Sequence, residues 1–155
     1  NFNFKGVDFS FMFQFNYGND LYNATRLYST QTRLGRRNMM AEVADRWSPT
    51  NASNLVPKTN GYITNEVYSR FVEDGSFLRL KNITLGYTIP QKLTKKFYVQ
   101  KLRVYGSAQN LFCLSKYSGY DPEVSTAANN PMTPGLDWGA YPKSRIFTIG
   151  LDLQF

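Results

Sequence analysis

Residues 8–17 have the sequence DFSFMFQFNY, in which large aromatic residues alternate with mostly polar ones. The aromatic residues all fall on one phase of the alternation: Phe9, Phe11, Phe13, Phe15 and Tyr17. Because successive side chains of a β-strand point to opposite faces of the sheet, this stretch predicts a strand with one wholly aromatic face. A half-buried soluble strand is one interpretation, but a face made only of aromatic residues fits contact with lipid at least as well.

The same kind of alternation occurs in three later stretches of the chain. The predicted strands lie at about residues 3–17, 76–90, 98–112 and 144–155. In the second strand the apolar positions change phase at Lys81 and Asn82, which predicts a β-bulge or the rim of the sheet at that point. In the third strand, the face opposite the apolar one carries Lys, Arg, Tyr, Ser and Gln and could line a wet interior.

The connections between these strands alternate in length. Residues 18–75 and 113–143 are predicted to be long loops rich in Asn, Ser, Thr, Gly and Pro, whereas residues 91–97 form a short polar turn. Helical spacing of apolar residues from Met40 to Trp47 predicts one short helix in the first loop, and residues 62–68 could add a short strand. Long extracellular loops alternating with short periplasmic turns are typical of outer-membrane barrels, so we expect both loops to face outward and the turn to face the periplasm.

The chain has 155 residues and begins inside an alternating pattern without an initiator Met, which predicts a piece of a longer protein. Four strands cannot close a barrel, since the smallest membrane barrels use about eight. The long loops contain too much Pro, Gly and Asn to hide further ten-residue alternations. The sequence therefore predicts an all-β fold: the last four antiparallel strands of a larger transmembrane β-barrel.

Composition excludes several classes of function. The chain has no His and a single cysteine, Cys113, so Ser-His-Asp catalysis, Cys-His catalysis, His-ligated metal sites and an internal disulfide are excluded. No nucleophile–base pair or pair of catalytic carboxylates can be assembled, and we predict that the chain is not an enzyme. No cofactor is expected; calcium at Asp121, Glu123 and Asp137 is a weak alternative, because their spacing matches no compact loop motif. No apolar run is long enough for a membrane-spanning helix.

The second predicted strand carries the most specific motif of the chain. Residues 76–87, SFLRLKNITLGY, resemble a strand of the SusC/RagA-type TonB-dependent outer-membrane transporters of Bacteroidetes. Other blocks resemble the same family in the same order: Arg46–Pro49, Leu102–Tyr105, Gln109–Leu111, Tyr117–Glu123, Tyr141–Pro142 and Phe147–Phe155. The resemblance covers about residues 38–155. No segment resembles the plug domain of this family.

The end of the chain resembles the C-terminal signal that the outer-membrane barrel assembly machine reads. The residues that carry this pattern are Thr148, Gly150, Leu153 and Phe155. The physical basis would be an edge strand with an exposed backbone that pairs before the barrel closes.

The family resemblance implies a location, an activity and a set of partners. The full protein would be a barrel of about 22 strands with a plugged lumen in the bacterial outer membrane. It would import oligosaccharides or peptides with energy coupled through TonB, beneath a SusD-like surface lipoprotein. This segment would supply barrel wall and two outward loops, and would contact outer-membrane lipid but no nucleic acid.

Four loop residues are candidates for contact with the substrate or with the lipoprotein lid. They are Trp47, Tyr120, Asp121 and Trp138. Aromatic faces stack on sugar rings, and carboxylates bind sugar hydroxyls. The alternative is that these residues pack the loops against each other.

Three other interpretations of the whole chain remain open at this point. A small standalone outer-membrane barrel or adhesin would need four more strands. A soluble all-β module, for example one that binds carbohydrate, would have to pack its apolar faces together as a sandwich core. A nucleic-acid-binding module is suggested only by the net charge of +7 together with the aromatic content, and the basic residues are scattered.

Overall fold

The structure is a computed structural model that describes residues 1–32, 38–59, 67–126 and 134–155. The chain folds as two compact units. The sheet unit comprises Asn1–Tyr17, Phe77–Ser115 and Lys143–Phe155, and the loop unit comprises Gly18–Ser76 and Lys116–Pro142. The short strand considered at residues 62–68 lies mostly outside the described residues.

The described residues contain eight strands, two α-helices and three 3-10 helices. The strands are β1 (Phe2–Phe4), β2 (Val7–Asn16), β3 (Asp20–Asn23), β4 (Val72–Asp74), β5 (Phe77–Thr88), β6 (Lys101–Ser115), β7 (Leu136–Asp137) and β8 (Ile146–Gln154). The α-helices are α1 (Ala24–Thr30) and α2 (Gln91–Thr94), and 3-10 helices lie at Ala41–Asp45, Ser69–Phe71 and Lys95–Phe97. No helix in the described part of the chain has the length and apolar character required to cross a membrane.

The sheet unit is a single antiparallel sheet with the order β1-β2-β5-β6-β8. The predicted first strand at residues 3–17 was wrong in one respect, because a tight turn divides it into β1 and β2. Lys5 and Gly6 both have positive φ, and Phe4 pairs with Val7 across them, as in a two-residue hairpin turn. The sheet therefore has five strands where four were predicted. The other predicted strands correspond to β5, β6 and β8.

The register of the sheet sorts the side chains by polarity. Phe9 lies opposite Leu85, Leu85 opposite Gly106, and Gly106 opposite Ile149, so a row of apolar positions crosses four strands. The next row on the other face consists of Ser10, Thr84, Ser107 and Thr148. The change of phase predicted at Lys81 is a bulge, since the pairing of β5 with both neighbours skips this residue. The bulge keeps Leu78 and Leu80 on the same face of β5 as Ile83, Leu85 and Tyr87.

The loop unit contains more structure than the sequence predicted. Its three-stranded sheet has β3 in the centre, antiparallel to β4 and parallel to β7. The parallel pair joins residues of the first predicted loop to residues of the second, so the two loops fold together. Its buried apolar residues are Leu21, Ala24, Val43, Val56, Phe71 and Tyr117.

The helix predicted from Met40 to Trp47 is a shorter 3-10 helix at Ala41–Asp45. An α-helix that was not predicted, α1, begins after Asn23, whose side chain accepts a hydrogen bond from the backbone N–H of Arg26. Such a cap satisfies one of the backbone donors that a helix start leaves unpaired. Two of the last residues of α1, Ser29 and Thr30, donate their hydroxyls to carbonyls one turn back.

Candidate functional site

The sheet unit exposes a broad apolar face. The exposed members of this face include Phe2, Phe4, Val7, Phe11, Phe13, Phe15, Leu78, Leu85, Tyr87, Val104, Leu114, Phe147, Ile149, Leu151 and Leu153. Ile149, near the middle of β8, is 88% exposed. A contiguous apolar surface of this kind marks contact with a partner or with lipid.

The opposite face of the sheet carries an ion cluster that crosses four strands. Arg103 on β6 donates two hydrogen bonds to Asp8 on β2, at 2.8 and 2.6 Å, and one to Asp152 on β8 at 3.0 Å. Gly86 on β5 lies between, and a Cβ at this position would stand 2.4 Å from Asp8 Oδ1 and 2.6 Å from Arg103 Nη2. The glycine therefore leaves the space through which Arg103 reaches across β5.

A second glycine on this face accommodates an aromatic ring. A Cβ on Gly150 would lie 2.3 Å from Cζ of Tyr105, so the ring lies over the bare backbone of β8. The guanidinium of Arg103 lies 4.8 Å from the centroid of the same ring. Gly150 belongs to the residues assigned to barrel assembly, and the structure gives this position a packing role. The assembly signal itself stays a prediction.

The loop unit is held together by a network centred on Glu73. The carboxylate of Glu73 accepts hydrogen bonds from the Ser118 backbone N–H at 2.9 Å, the Ser118 hydroxyl at 2.8 Å and the Asn23 amide at 3.2 Å. Arg26 donates to Glu73 at 3.2 Å and makes a bidentate pair with Glu42 at 3.0 and 2.7 Å. The network links segments of both predicted loops.

These contacts shift the acid–base equilibria of the two glutamates. Burial favours the neutral form of Glu73, but the hydrogen bonds from Ser118, Arg26 and Asn23 outweigh it and hold the pKa of Glu73 below its ordinary value. The hydrogen bonds and charge of Arg26 likewise lower the pKa of Glu42. Both carboxylates are therefore more stable as anions in the folded loop unit than in an unfolded chain.

Acid is expected to loosen the loop unit selectively. Because both pKa values are lower in the folded state, the stabilisation is fully present above the ordinary glutamate pKa of 4.5 and is lost as the pH falls through the lower folded values. Amide hydrogen exchange of the full-length protein, corrected for the intrinsic rate at each pH, should show protection around Ser118 falling below pH 4.5. Glu73→Gln should reduce the protection at neutral pH and flatten its pH dependence. An unchanged pH dependence in Glu73→Gln would contradict this assignment.

A second buried pair lies beside this network. The Tyr117 hydroxyl donates to Asp137 Oδ2 at 2.6 Å, and both residues are buried. Burial and the bond to the Asp137 carboxylate raise the pKa of Tyr117 well above its ordinary value, so its hydroxyl keeps its proton. The Thr25 hydroxyl lies near the other oxygen of Asp137 and accepts from the Gly139 backbone N–H at 2.7 Å. These bonds fasten β7 and the residues after it to α1.

The four predicted contact residues lie in different places in the loop unit. Trp47, 42% exposed, lines a pocket of about 530 Å³, and Tyr120, 76% exposed, lines another of about 390 Å³. Trp138 packs edge-to-face on Tyr28 at 5.7 Å and lines a smaller pocket of about 120 Å³. Asp121 is buried and accepts a hydrogen bond from the Glu123 backbone N–H, so it shapes its own loop. A contact between any of the four and a substrate stays a prediction.

The calcium alternative also stays a prediction. Across the described residues, no three His, Cys, Asp or Glu side chains come together in a way that could hold a metal ion. One oxygen of Asp137 is already engaged by the Tyr117 hydroxyl, and one of Asp121 by a backbone N–H.

Sequence reasoning did not find the charged clusters on either unit. Arg103 and Asp152 do fall on the polar phase of their strands, so their common face could have been inferred. The partnership with Asp8 depends on Gly86, which lies between them. The partners of Glu73, which are Ser118, Arg26 and Asn23, lie 45 to 50 positions away from it, and no local pattern marks them.

Comparison with known proteins finds that the chain is similar to TonB-dependent receptors. It is 36% identical over 156 residues to TonB-dependent receptor P3 of Formosa agariphila and 33% identical over 154 residues to TonB-dependent receptor SusC of Bacteroides thetaiotaomicron, each match covering 98% of this chain. The chain spans only 15% and 14% of these two relatives. The solved structure of the RagAB peptide transporter matches 97% of this chain and 16% of its own chain, with a TM-score of 0.82 and 27% identity. No protein-family profile matches the chain.

Proposed function

This chain is homologous over 98% of its length to TonB-dependent receptors of the SusC type, and on that premise we propose that it forms barrel wall and outward loops of an outer-membrane nutrient importer. The importer takes up oligosaccharides or peptides with energy coupled through TonB. The similarity to TonB-dependent receptors supports import, and the similar RagAB structure is a peptide transporter.

The single observation that carries this proposal is the two-faced sheet. One face is apolar and exposed in every strand, whereas the other face holds hydroxyls, amides and the Arg103 ion cluster. In a barrel wall, the apolar face contacts lipid and the polar face contacts the plugged lumen. A soluble sandwich would cover the apolar face with a second sheet, but in the described residues Phe147, Ile149 and Leu151 remain exposed.

The path of the chain supports the orientation that we propose for the sheet in the membrane. Asn16, Phe77 and Ser115 lie in register at one end of the sheet, and both long connections leave from that end. The short turn at residues 91–97 lies at the opposite end. We place the loop unit outside the cell and the turn in the periplasm, because barrels of this class have long outer loops and short inner turns.

The partners follow from this placement. The loop unit contacts a SusD-like surface lipoprotein, TonB acts on another part of the full protein, and the barrel assembly machine reads β8 together with Phe155. The exposed aromatic residues of the loop unit, Trp47, Tyr120 and Trp138, supply contacts to cargo or to the lipoprotein.

Uptake by the intact bacterium tests the proposal. Deleting the full gene should abolish the accumulation of labelled cargo oligomers, and restoring the gene should restore it. A protonophore should block the restored uptake, because it removes the proton gradient that energises TonB. Uptake that survives the protonophore would contradict active import.

Replacing Trp47 and Trp138 together by Ala in the full protein should lower uptake or lipoprotein association, and Tyr17→Ala outside the loop unit is the control. Unchanged uptake and unchanged association would remove these residues from the proposal.

A further inference from the structure

The pocket beside Trp47 has the charge of an anion-binding site. Its described lining includes two cationic side chains, Lys58 and Arg70, and no carboxylate. At about 530 Å³ it falls within the range of about 300–1,000 Å³ that is usual for ligand sites. An anionic ligand would therefore meet two positive charges and an aromatic side chain in one cavity.

The walls of this pocket are fixed by the fold. The Trp47 backbone N–H donates to the carbonyl of Val56 at 2.9 Å, and Val56 is almost completely buried. Asp45 accepts hydrogen bonds from the Asn51 amide at 3.0 Å and from the Ser53 hydroxyl at 3.2 Å, which closes the loop between the two walls. A preorganised pocket of this kind loses little conformational freedom when a ligand binds.

The two cations are available to a ligand. The guanidinium of Arg70 lies 5.1 Å from the centroid of the Phe71 ring, and Phe71 is fully buried, so the cation is held beside the pocket on a rigid support. Within the part of the chain that the structure describes, neither Lys58 nor Arg70 forms an ion pair with a carboxylate. The charge of Arg70 helps to lower the pKa of Glu42, but both carboxylate oxygens of Glu42 already accept hydrogen bonds from Arg26. Asp45 likewise accepts bonds from Asn51 and Ser53.

We propose that this pocket binds an acidic sugar residue of the cargo, a pyranose that carries a carboxylate or a sulfate. The indole of Trp47 offers a flat apolar surface for the C–H face of the ring, the Asn54 amide can bond a hydroxyl, and Lys58 and Arg70 pair with the anionic substituent. An apolar platform beside polar and cationic groups matches a sugar acid better than an acidic peptide, which presents no flat ring of C–H bonds. The inference rests on the proposed import function and names the chemistry of one of its binding sites.

A matched pair of ligands measures how much the negative charge of the ligand contributes to binding. Oligogalacturonate and its fully methyl-esterified form share the same sugar backbone, but only the first carries carboxylates. Binding of each to the purified full-length protein in detergent is measured by calorimetry, with the corresponding sulfated oligosaccharide and an oligoglutamate as further probes. We expect the acid to bind about tenfold tighter than its ester, since each partly exposed cation contributes about three- to fivefold.

Substitutions in the pocket test whether the tighter binding of the acid arises there. Lys58→Gln and Arg70→Gln together should remove the preference for the acid and leave the affinity for the ester unchanged, which also shows that the variant is folded. Lys95→Gln, in the turn after β5, removes one positive charge far along the chain and is expected to change nothing. Trp47→Ala should weaken binding of the acid and the ester by the same factor, because it removes the stacking surface and no charge.

Several results would overturn the inference. They are equal affinity for acid and ester, no binding of either, a preference that survives in the double variant, or tighter binding of oligoglutamate than of the acidic sugars. Tighter binding of the sulfated sugar than of the carboxylated one supports the proposal and identifies the anion. If these tests fail while uptake still requires the gene and is blocked by the protonophore, the importer stands and only the assignment of this pocket is lost.

Discussion

Replacing Ile149 by Arg in the full-length protein is expected to destabilise it by about 2–4 kcal/mol, because we propose that this face contacts lipid and that mid-strand positions lie near the bilayer midplane. Ile149 lies in the middle of β8 on the apolar face and is 88% exposed. If this face contacted water, an exposed Arg would be better solvated than Ile, and the change would be close to neutral. The readout is the amount of heat-stable, folded protein in the outer membrane together with its unfolding midpoint in denaturant.

The adjacent residue provides a matched control. Thr148 lies on the opposite face of the same strand, in the polar row with Ser107 and Thr84. Thr148→Arg introduces the same side chain at the same depth and is expected to cost less than about 1 kcal/mol, because a lumen-side cation remains solvated. Equal losses in the two variants, or a larger loss for Thr148→Arg, would contradict the assignment of the faces.

Replacing Tyr117 by Phe is expected to destabilise the loop unit by about 1–3 kcal/mol, the cost of leaving a buried hydrogen-bonding group without its partner. The hydroxyl of Tyr117 donates at 2.6 Å to Asp137, which is 2% exposed, and no other atom of Tyr117 changes in the substitution. Amide hydrogen exchange of the full-length protein should show faster exchange in β3 and β7 while the strands of the sheet unit keep their protection.

Tyr120→Phe is the control for this change. Tyr120 is 76% exposed, so loss of its hydroxyl leaves no buried group without a partner, and we expect no measurable change in exchange. Equal protection in wild type and Tyr117→Phe would contradict the structural role of the buried pair. A loss spread over β2, β5, β6 and β8 would show instead that the substitution unfolds the sheet.

Much of the sheet unit could be predicted from the sequence because its pattern is local. Alternation with period two identifies a strand and its faces within about ten residues, and the phase change at Lys81 identifies the bulge. The turn at Lys5 and Gly6 was missed because aromatic residues continue on both sides of it. The sequence signal there was Gly6, because glycine is favoured where a two-residue turn requires positive φ, and both Lys5 and Gly6 have positive φ in the structure.

The loop unit could not be predicted because its order depends on long-range contacts. Glu73 is joined to Ser118 and to Arg26, and Asp137 is joined to Tyr117 and lies near Thr25, so residues of both predicted loops depend on each other. Each segment alone is rich in turn-forming residues, and apart from the helical spacing between Met40 and Trp47 neither shows a regular apolar period. The short helix α1 has a capping signal at Asn23, but seven residues are too few for a hydrophobic pattern to be evident.

The candidate site was predicted only in part for the same reason. The exposed aromatic residues Trp47, Tyr120 and Trp138 were found by residue type, but they line three separate pockets. The cations that give the Trp47 pocket its charge, Lys58 and Arg70, lie 11 and 23 positions further along the chain, and only the fold brings them to Trp47. Residue type therefore indicated the chemistry of the loops, and the fold decided which residues share a cavity.

The most direct test of the lipid-facing sheet is the accessibility of spin labels along β8. Single cysteines at Phe147, Thr148, Ile149, Leu151, Asp152 and Leu153 are labelled with a nitroxide in the full-length protein in lipid bilayers, with Cys113 and any other native cysteine replaced by Ser. Gly150 is left out because the Tyr105 ring occupies the space beside it. Oxygen, which concentrates in lipid, should relax the labels at Phe147, Ile149, Leu151 and Leu153 more strongly than those at Thr148 and Asp152. Accessibility without this alternation, or with its maxima at Thr148 and Asp152, would contradict a barrel wall built from this sheet.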